Sequence, residues 1–398
     1  MFMPFFSSNR GGPDITAMWL VQGLCSLYEV TLVTTRQFDL SFFNRFAGTN
    51  LTGKDFHTRI APTIPCPSNA PMTALQGPLF QRFARRLARG FDTCISAMNL
   101  VDFGVRGIHF LADLDWPGTP VARAGSPCVP PVRKRRPALR RLYHQLCLSL
   151  YDRSGRDQLH QDLLISNSAW VASALHEVGI DSPVVYPPVP FAAHATEWQN
   201  KRPDFVWLGR IAPSKRLETA IAIVGRLRAS GADCKLHIVG NAIDKQYDAR
   251  IRELARIRGA WVVLEGPKYG AEKARFLSQF RYAIHTRADE PFGISLVELI
   301  KSGCIPFGPN SCGSAEILRH EDLLFMTEPE AASKILRVMH EPGRIDVLCQ
   351  HLEERARCFS TDHFCSSVQN LVGEVLGEKS SLVTAAGHVD QQTALASR

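Results

Sequence analysis

The sequence lacks the cysteine patterns that build zinc sites and disulfide frameworks. Its 11 cysteines are odd in number and irregularly spaced, and none of them forms a Cys-x-x-Cys pair. This usage indicates a reducing compartment and shows no zinc motif. The chain also has no uninterrupted apolar run that approaches the roughly 18 residues of a membrane-spanning helix. Any contact with a membrane should therefore be peripheral.

The amino-terminal segment, MFMPFFSSNRGG, has few features of a secretory signal. It is apolar for six residues but lacks a basic start, a longer apolar run and a small-residue cleavage site. We therefore expect a cytoplasmic protein. The segment is also very short for the buried strand that should precede the Gly11-Gly12 loop. Either the first strand is stunted, or the true start of the protein lies upstream of Met1.

The chain carries more basic than acidic side chains. Its 46 Lys and Arg residues outnumber its 38 Asp and Glu residues, which gives a formal net charge of +8. This excess favours an anionic partner, such as a phosphorylated ligand, nucleic acid or anionic lipid. The composition, with 45% hydrophobic and 21% charged residues, excludes a largely disordered chain. A length of 398 residues indicates two domains.

Short β-branched apolar runs alternate with longer amphipathic stretches, which predicts an α/β fold with parallel sheets. The predicted strands are 29–35, 92–98, 107–113, 162–168 and 183–187 in the first half, and 204–209, 235–240, 260–266, 282–288, 305–308 and 322–326 in the second. Closely spaced prolines within 186–204 mark an interdomain linker. We therefore expect domains at 1–190 and 203–360, a helix at 361–376 that crosses back to the first domain, and a mobile tail at 377–398.

Two cations follow a predicted buried strand of the second half. Arg210 comes directly after Gly209 at the end of this strand, and Lys215 lies just before an amphipathic helix that begins near Leu217. Open α/β sheets bind ligands at the carboxyl ends of their strands, and two cations beside a helix amino terminus suit a pyrophosphate. The alternative interpretation is a pair of solvated loop cations.

Two glutamates lie further along, around a tight Pro-Phe-Gly turn. Glu290 precedes the turn, and Glu298 falls one turn into a helix predicted to begin near Ile294. Gly293 permits close approach, so the main chain from Phe292 to Ile294 could bind an anion through its N–H groups. A pair of carboxylates beside a phosphate site is suited to sugar hydroxyls. The preference of helix starts for acidic residues could explain one of the two.

The string from Gly209 to Glu316 resembles the donor-binding domain of the retaining GT-B glycosyltransferases of family GT4, the glycosyl transferases group 1. Its Gly-Arg with a Lys five residues later, its strand ending in Val-Gly and its two Glu separated by seven residues are similar to that family's signature. The AEIL segment at 315–318 and the FSxxxF segment at 359–364 are also similar. The resemblance covers most of 203–375.

The resemblance implies a GT-B fold, in which two Rossmann-like parallel-sheet domains face a cleft. It also implies a retaining hexosyltransferase that takes a nucleotide diphosphate sugar as donor and a glycan or lipid-linked hydroxyl as acceptor. Arg210 and Lys215 would neutralise the diphosphate, Glu298 would hold the ribose, and Glu290 would bind the sugar as a catalytic residue. The YPPV segment at 186–189 and the IHF segment at 108–110 resemble those of mannosyltransferase-like relatives, so GDP-mannose is the expected donor, with UDP-glucose next.

The first half resembles the acceptor domain of the same family. Gly12, in the glycine loop before a predicted first helix, matches the family's glycine loop and would contact the donor. His109, near the end of a predicted strand, matches the position from which a family His reaches the donor sugar and would act in catalysis. A lone strand His is more often structural, so both interpretations of His109 stay open.

Asp113-Leu114-Asp115 matches the Asp-x-Asp motif with which another glycosyltransferase architecture, GT-A, holds a divalent cation. A three-residue match is weak, and the cations Arg210 and Lys215 would make such a metal redundant. We therefore predict no obligatory metal and no cofactor, the nucleotide sugar being the donor substrate.

A strongly basic block lies in the first half. No acidic residue occurs between Trp116 and Tyr151, a stretch that contains Arg123, Arg133, Lys134, Arg135, Arg136, Arg140 and Arg141. A predicted basic amphipathic helix adds Arg82, Arg85, Arg86 and Arg89. Such surface is typical of contact with anionic lipid or nucleic acid, and the chain has no nucleic-acid-binding motif. We expect an anionic membrane partner, at the inner face of the cytoplasmic membrane, and no nucleic acid; a solvated face without a partner is the alternative.

Two other functions fit part of the pattern. A GT-B epimerase or phosphorylase would share the architecture, although the basic block argues against it. A non-catalytic nucleotide-sugar-binding or scaffold subunit would keep the two phosphate-site cations but would not need Glu290.

Overall fold

The computed structural model describes residues 2–3, 11–63, 73–114, 161–190 and 196–377. Strands and helices alternate through these ranges and form two parallel sheets with separate hydrophobic cores. The predicted α/β class is therefore confirmed. No helix in the described ranges is both long enough and apolar enough to cross a bilayer. The basic block at 116–151 and the tail after 377 lie outside the described residues.

The first domain is built around a parallel sheet of order β3-β2-β1-β4-β5-β6. Its strands are β1 (Phe2–Met3), β2 (Thr31–Thr34), β3 (His57–Ile60), β4 (Cys94–Ser96), β5 (Gly107–Leu111) and β6 (Leu163–Ser166), and its helices are α1 (Gly12–Leu24), α2 (Leu40–Ala47), α3 (Thr73–Ala88) and α4 (Ala169–His176). Every residue of β2, β4 and β5 is buried, as expected for parallel strands that are covered on both faces.

The second domain repeats this architecture with the order β12-β11-β10-β7-β8-β9. Its strands are β7 (Arg202–Leu208), β8 (Leu236–Val239), β9 (Val262–Gly266), β10 (Phe280–Ile284), β11 (Ile305–Pro309) and β12 (Leu324–Phe325). Its helices are α5 (Leu217–Ala229), α6 (Lys245–Arg258), α7 (Gly270–Leu277), α8 (Ile294–Lys301), α9 (Cys312–Leu318), α10 (Glu328–His340) and α11 (Pro342–Arg357). All six strands of this domain overlap the predicted ones, because buried parallel strands are continuous apolar runs.

The last described helix, α12 (Thr361–Leu376), packs against the first domain. Phe364, Val368 and Val372 recur every four residues, so they share one helix face, and all three are buried in the first domain's core beside α1. The side-chain amide of Gln369 also donates to the Gly23 carbonyl in α1 at 2.7 Å. The chain therefore returns to the first domain after completing the second.

Two details of the strand prediction are wrong. The sequence analysis missed β3, whose four residues are all exposed and therefore give no apolar signal. The predicted strand at 183–187 contributes only an isolated bridge between Ser166 and Val184. Pro183 and Pro187 have no N–H group to donate to a longer ladder. The first strand is as short as expected, with two residues.

Candidate active site

A cleft of about 570 Å³ lies between the two domains. Loops that follow β5 and β6 line one side, and loops that follow β7, β8, β9 and β10 line the other. Helices α1 and α8 both begin at the cleft. The carboxyl ends of the two sheets therefore face each other, which is the usual place for a ligand in parallel α/β folds.

The two cations predicted for a phosphate site both line this cleft. Arg210 follows β7 and is exposed. Lys215 ends a short 3-10 turn, Pro213–Lys215, directly before α5, and its side chain is only 13% exposed. The hydroxyl of Thr286 donates to the Lys215 carbonyl at 2.6 Å and fixes this turn. The site therefore contains one accessible and one largely buried positive charge.

Glu290 lies among three basic side chains. Lys215 Nζ forms an ion pair with Glu290 Oε2, and Arg287 Nη1 lies 3.3 Å from Oε1. His285 Nε2 lies 3.7 Å from Oε2. Burial alone would raise the pKa of Glu290, but the charges of Lys215 and Arg287 outweigh it and hold the pKa at about 2. Glu290 is therefore ionised at neutral pH and can only accept hydrogen bonds.

His285 is buried beside Glu290, with its side chain 3% exposed. Burial lowers the pKa of His285 to about 4, although the charge of Glu290 opposes this shift. The imidazole is therefore neutral at pH 7. Its Nε2 has no hydrogen-bond partner among the described residues. The positive charge that faces Glu290 thus comes from Lys215 and Arg287.

Glu298 forms a second buried pair with a lysine. It lies one turn into α8 and is 7% exposed. Lys273 of α7 reaches it across the domain, with Nζ 2.5 Å from Oε1. Both residues line the cleft. A ligand that binds here with hydroxyl or phosphate groups would replace part of this ion pair, as it would the pair between Lys215 and Glu290.

The amino terminus of α8 opens onto the cleft through its main chain. Gly293 precedes the first helical residue, Ile294, and has a φ of 113°, a conformation that favours glycine. The Phe292 ring points into the core, where it stacks on Tyr186 with the ring centroids 5.7 Å apart. The first N–H groups of a helix have no partner within the helix. The turn therefore offers backbone donors to a ligand, and the aromatic ring only supports it.

Gly12 lies where α1 of the first domain meets α8 of the second. It is the first residue of α1 and lines the cleft. A Cβ atom at Gly12 would lie 2.4 Å from Cδ1 of Ile294, a distance that real Cβ contacts do not reach. The glycine therefore allows the amino termini of α1 and α8 to approach each other. Two helix amino termini at one cleft favour an anionic ligand.

The prediction that His109 reaches the donor sugar is wrong. His109 lies in β5, is fully buried and does not line the cleft. The cleft lies at the carboxyl end of β5, where Phe110 and Leu111 line it, and His109 lies one residue short of them. His109 instead stacks on Phe103, with the ring centroids 5.3 Å apart, and its Nε2 lies 3.2 Å from Asp162 Oδ2. Its environment is that of a structural histidine.

Several cleft residues were not found by the sequence analysis: Lys273, Arg287 and Asn167. Arg287 lies three residues before Glu290, so the same string of sequence contained the signal for it. The pairing of Lys273 with Glu298 joins two helices, and Asn167 comes from the other domain. Neither the Lys273–Glu298 pair nor the position of Asn167 could be predicted from the spacing of residues in the sequence.

The structure shows only half of the Asp-x-Asp motif. Asp113 lines the cleft, and its Oδ1 accepts a hydrogen bond from Asn99 at 3.0 Å. Asp115 lies outside the described residues. In the described part of the chain, no three His, Cys, Asp or Glu side chains are grouped as metal ligands would be. Independence from metal therefore stays a prediction.

Residues 190–358 match the model of the family described as glycosyl transferases group 1. The matched segment includes Arg210, Lys215, Glu290 and Glu298. The family resemblance that the motifs indicated is therefore confirmed for the second domain.

Two mannosyltransferases are similar in sequence. The GDP-Man:Man(3)GlcNAc(2)-PP-Dol alpha-1,2-mannosyltransferase of Dictyostelium discoideum is 24% identical over 249 residues, which cover 57% of this chain and 48% of the relative. The Homo sapiens protein of the same name is 26% identical over 170 residues, which cover 38% of this chain and 35% of the relative. The chain thus spans less than half of the length of these relatives.

Solved glycosyltransferase structures share the whole arrangement. Sucrose-phosphate synthase from Thermosynechococcus elongatus has a TM-score of 0.68 and 17% identity, and the match covers 93% of this chain and 94% of that protein. Anabaena HepE, crystallised with UDP and glucose, has a TM-score of 0.65 and 14% identity, with 95% and 98% covered. At such low identity, these matches establish the fold: two facing parallel-sheet domains.

Proposed function

We propose that this chain, which has the GT-B fold and whose residues 190–358 belong to the glycosyl transferases group 1, is a retaining hexosyltransferase. It transfers a hexose from a nucleotide diphosphate sugar to a hydroxyl group of a glycan or lipid-linked acceptor. The observation that carries the proposal is the grouping of Arg210, Lys215 and Glu290 with the start of α8 in one interdomain cleft.

The diphosphate of the donor binds at the cationic side of the cleft. Arg210 and Lys215 supply two positive charges, and the first turn of α8 supplies N–H groups. A hydrogen bond to a charged group contributes about 1.5–3 kcal/mol. Lys215 is largely buried, so salt screens its charge less than that of an exposed cation. Lys215 lies between the phosphates and Glu290 and compensates charge on both.

The two glutamates bind hydroxyl groups at different parts of the donor. Glu290 is ionised and lies beside Lys215, so it accepts hydrogen bonds from the sugar next to the leaving phosphate. Glu298 lies one turn deeper in α8, beside Lys273, and accepts hydrogen bonds from the ribose. Each glutamate has a basic side chain beside it, so neither charge is isolated in its buried position.

The reaction exchanges one bond of the anomeric carbon for another. The bond to the diphosphate oxygen breaks, and its electron pair stays on the phosphate. The acceptor oxygen forms the new bond on the same face of the sugar, and its proton passes to the leaving diphosphate. Arg210 and Lys215 stabilise the charge that develops on the diphosphate. Because protein cations perform this task, we expect turnover to survive EDTA.

GDP-mannose is the proposed donor, and a lipid-linked glycan is the proposed acceptor. The two relatives described above carry the name of an enzyme that uses GDP-Man and a glycan on PP-Dol. UDP-glucose is the alternative donor, since HepE was crystallised with UDP and glucose. Peripheral contact of the first domain with an anionic membrane would bring a lipid-linked acceptor to the cleft.

A thermal-shift comparison of GDP, UDP, GDP-mannose and UDP-glucose tests the donor assignment. A ligand at 100 times its Kd stabilises the folded protein by about 2.7 kcal/mol. We expect GDP and GDP-mannose to give the largest shifts, and NMR of the product to show an α-mannoside. Nucleotide binding without turnover would favour the non-catalytic subunit. The absence of any nucleotide shift would contradict the proposal.

A further inference from the structure

The first domain places two polar side chains on its own side of the cleft. Asp113 follows β5 and Asn167 follows β6, and these two strands are neighbours in the sheet. Both residues line the cleft, opposite the charged loops of the second domain. The phosphate-binding groups lie in the second domain, so this side is available for other parts of the substrates.

Asn99 holds the Asp113 carboxylate in place. It follows β4, with a φ of 56°, and its Nδ2 donates to Asp113 Oδ1 at 3.0 Å. Its Oδ1 accepts from the backbone N–H groups of Ala112 at 2.9 Å and of Asp113 at 3.4 Å. One side chain thus fixes both the backbone after β5 and the direction of the carboxylate. The left-handed backbone conformation of Asn99 is unfavourable in free energy, and the three hydrogen bonds offset this cost.

Asn167 has a hydrogen-bond acceptor that the protein does not use. Its Nδ2 donates to the Ala112 carbonyl at 2.8 Å, which fixes the orientation of the amide. Its Oδ1 is buried and has no partner among the described residues. A buried polar atom without a hydrogen bond is unfavourable. A ligand hydroxyl in the cleft would satisfy it.

Arg287 connects Asp113 to the proposed sugar site. Burial alone would lower the pKa of Arg287, but the charges of Glu290, Asp289 and Asp113 together raise it. The Asp113 carboxylate is therefore close enough to Arg287 for its charge to contribute to this rise, and Arg287 Nη1 lies 3.3 Å from Glu290 Oε1. All three residues line the same cleft, so the carboxylate of the first domain lies near the proposed sugar site.

We propose that Asp113 and Asn167 form a subsite for sugar hydroxyls at the reaction centre, with Asn99 as its positioning residue. The inference rests on the proposed function. The carboxylate of Asp113 and Oδ1 of Asn167 both accept hydrogen bonds, so the subsite selects a ligand that donates them, as hydroxyl groups do. Such hydroxyls belong to the transferred sugar or to a sugar acceptor. The chemistry is the same in both cases, and the assays separate them.

Asp113→Asn tests the subsite, because it keeps the shape of the side chain and removes its charge. Its matched control is Asp181→Asn, in the same domain, where the side chain is 92% exposed. For each protein we would measure GDP binding by thermal shift, hydrolysis of GDP-mannose by water, and mannosyl transfer to octyl α-mannoside. We expect Asp113→Asn to bind GDP like the wild type and to lose about 10- to 100-fold in kcat/KM for transfer.

The hydrolysis assay identifies the source of the hydroxyl. An equal loss in hydrolysis and transfer assigns it to the transferred mannose, and a loss in transfer alone assigns it to the acceptor. Asn99→Gly removes the positioning side chain but keeps a residue suited to a positive φ. We expect it to lower kcat for transfer, and we expect Asp113→Asn to cause little further loss in the Asn99→Gly protein, because the two residues act as a unit.

Two results would overturn the inference. Asp113→Asn could transfer and hydrolyse at the rates of the wild type and of Asp181→Asn, in which case the carboxylate contacts no reacting sugar. It could also lose GDP binding together with transfer while melting at the wild-type temperature, in which case the carboxylate acts on the nucleotide and not on a sugar hydroxyl. A wild-type protein that neither binds GDP nor turns over GDP-mannose would instead overturn the proposed function and this inference with it.

Discussion

The two sides of the cleft are built in different ways. The second domain presents charged groups, with Lys215 and Arg287 around Glu290. The first domain presents a carboxylate and an amide: Asp113 accepts a hydrogen bond from the Asn99 side chain, and Asn167 donates one to the Ala112 carbonyl. A diphosphate needs positive charge whatever sugar it carries, whereas a hydroxyl group needs acceptors at fixed positions. From the proposed function, we expect the second domain to bind the diphosphate that all such donors share and the first domain to select the sugar.

The largest expected effect comes from removing the buried charge of the second domain. Lys215→Ala removes a contact to the diphosphate and one of the two cations that pair with Glu290 in the described part of the chain, leaving only Arg287. We expect a loss of about 10- to 100-fold in kcat/KM with GDP-mannose. We expect a smaller loss for Arg210→Ala, because that side chain is exposed and more strongly screened. Steady-state kinetics and titration with GDP measure both.

Lys245→Ala is the control for these variants, since Lys245 is an exposed lysine at the start of α6 in the same domain. Circular dichroism melts would show that each variant is folded. Unchanged kinetics in both Arg210→Ala and Lys215→Ala would show that these two cations do not bind the diphosphate. The proposed difference between the two sides of the cleft would then be wrong.

The two glutamates of the second domain should differ from each other. We expect Glu290→Gln to lower kcat about tenfold with a smaller change in donor affinity, because contacts to the sugar strengthen at the transition state. We expect Glu298→Gln to lower GDP affinity at least as much as kcat, because ribose contacts persist throughout the reaction. Glu253→Gln, at a side chain that is 54% exposed, is the matched control. Small and equal effects in both cleft variants would favour a non-catalytic subunit.

Most of the second domain could be predicted from the sequence. Its buried strands are continuous apolar runs, and its phosphate-site cations and glutamates lie in short strings directly after those strands. A ligand site whose residues lie close together in the sequence can be predicted from the sequence. Arg287 lies three residues before Glu290 in the same string, so its place at the site could have been predicted as well.

The first domain's side of the cleft could not be predicted in the same way. Asn99, Asp113 and Asn167 follow three different strands, and only the order of the sheet brings them together. The strand of His109 was located correctly, but the point along the strand at which the cleft begins could not be predicted. Phe110 and Leu111 line the cleft, whereas His109 lies one residue earlier and is fully buried.

Replacement of His109 tests this correction. His109→Phe keeps a ring that can stack on Phe103 but removes the two ring nitrogens, which lie beside Asp162 Oδ2 and the Val101 N–H. Among the described residues, Asp162 then keeps only the hydrogen bond that its Oδ1 accepts from the Gly107 N–H. We expect the free energy of unfolding to fall by about 1–3 kcal/mol, with kcat and GDP affinity within about twofold of the wild type. Urea denaturation and steady-state kinetics measure the two quantities. Normal stability with a large loss of turnover would restore His109 to the catalytic site.

A histidine–aspartate pair at the surface can be compared with the buried pair of His109 and Asp162. His176 lies 2.8 Å from Asp181, but the two side chains are 78% and 92% exposed. Exposed pairs contribute between about 0 and 1 kcal/mol, so His176→Phe should leave stability almost unchanged. The difference between the two variants isolates the effect of burial.

The outer faces of the two domains also differ in how their arginines are paired. In the described part of the first domain, Arg82, Arg86 and Arg89 are exposed on and just after α3, with no carboxylate partner among the described residues. In the second domain, three exposed arginines of α6 lie beside carboxylates: Arg250 with Glu218, Arg252 with Asp248 and Arg256 with Glu253. Only the first set offers uncompensated charge to an anionic membrane.

The smallest expected effect follows from this contrast, in the binding of phosphatidylserine-containing vesicles. Each arginine near such a surface contributes about 1 kcal/mol, screened over about 8 Å at physiological salt. Replacing the three α3 arginines with Gln should weaken co-sedimentation at low salt and leave GDP binding intact. The release should be partial, because the basic block at 116–151 adds further charge to the same domain.

Replacing the three α6 arginines with Gln should change vesicle binding little, since their charges are already balanced by the neighbouring carboxylates. Equal effects of the two triple replacements would show that net charge alone drives binding, and a wild-type protein that never sediments at low salt would rule out the membrane contact.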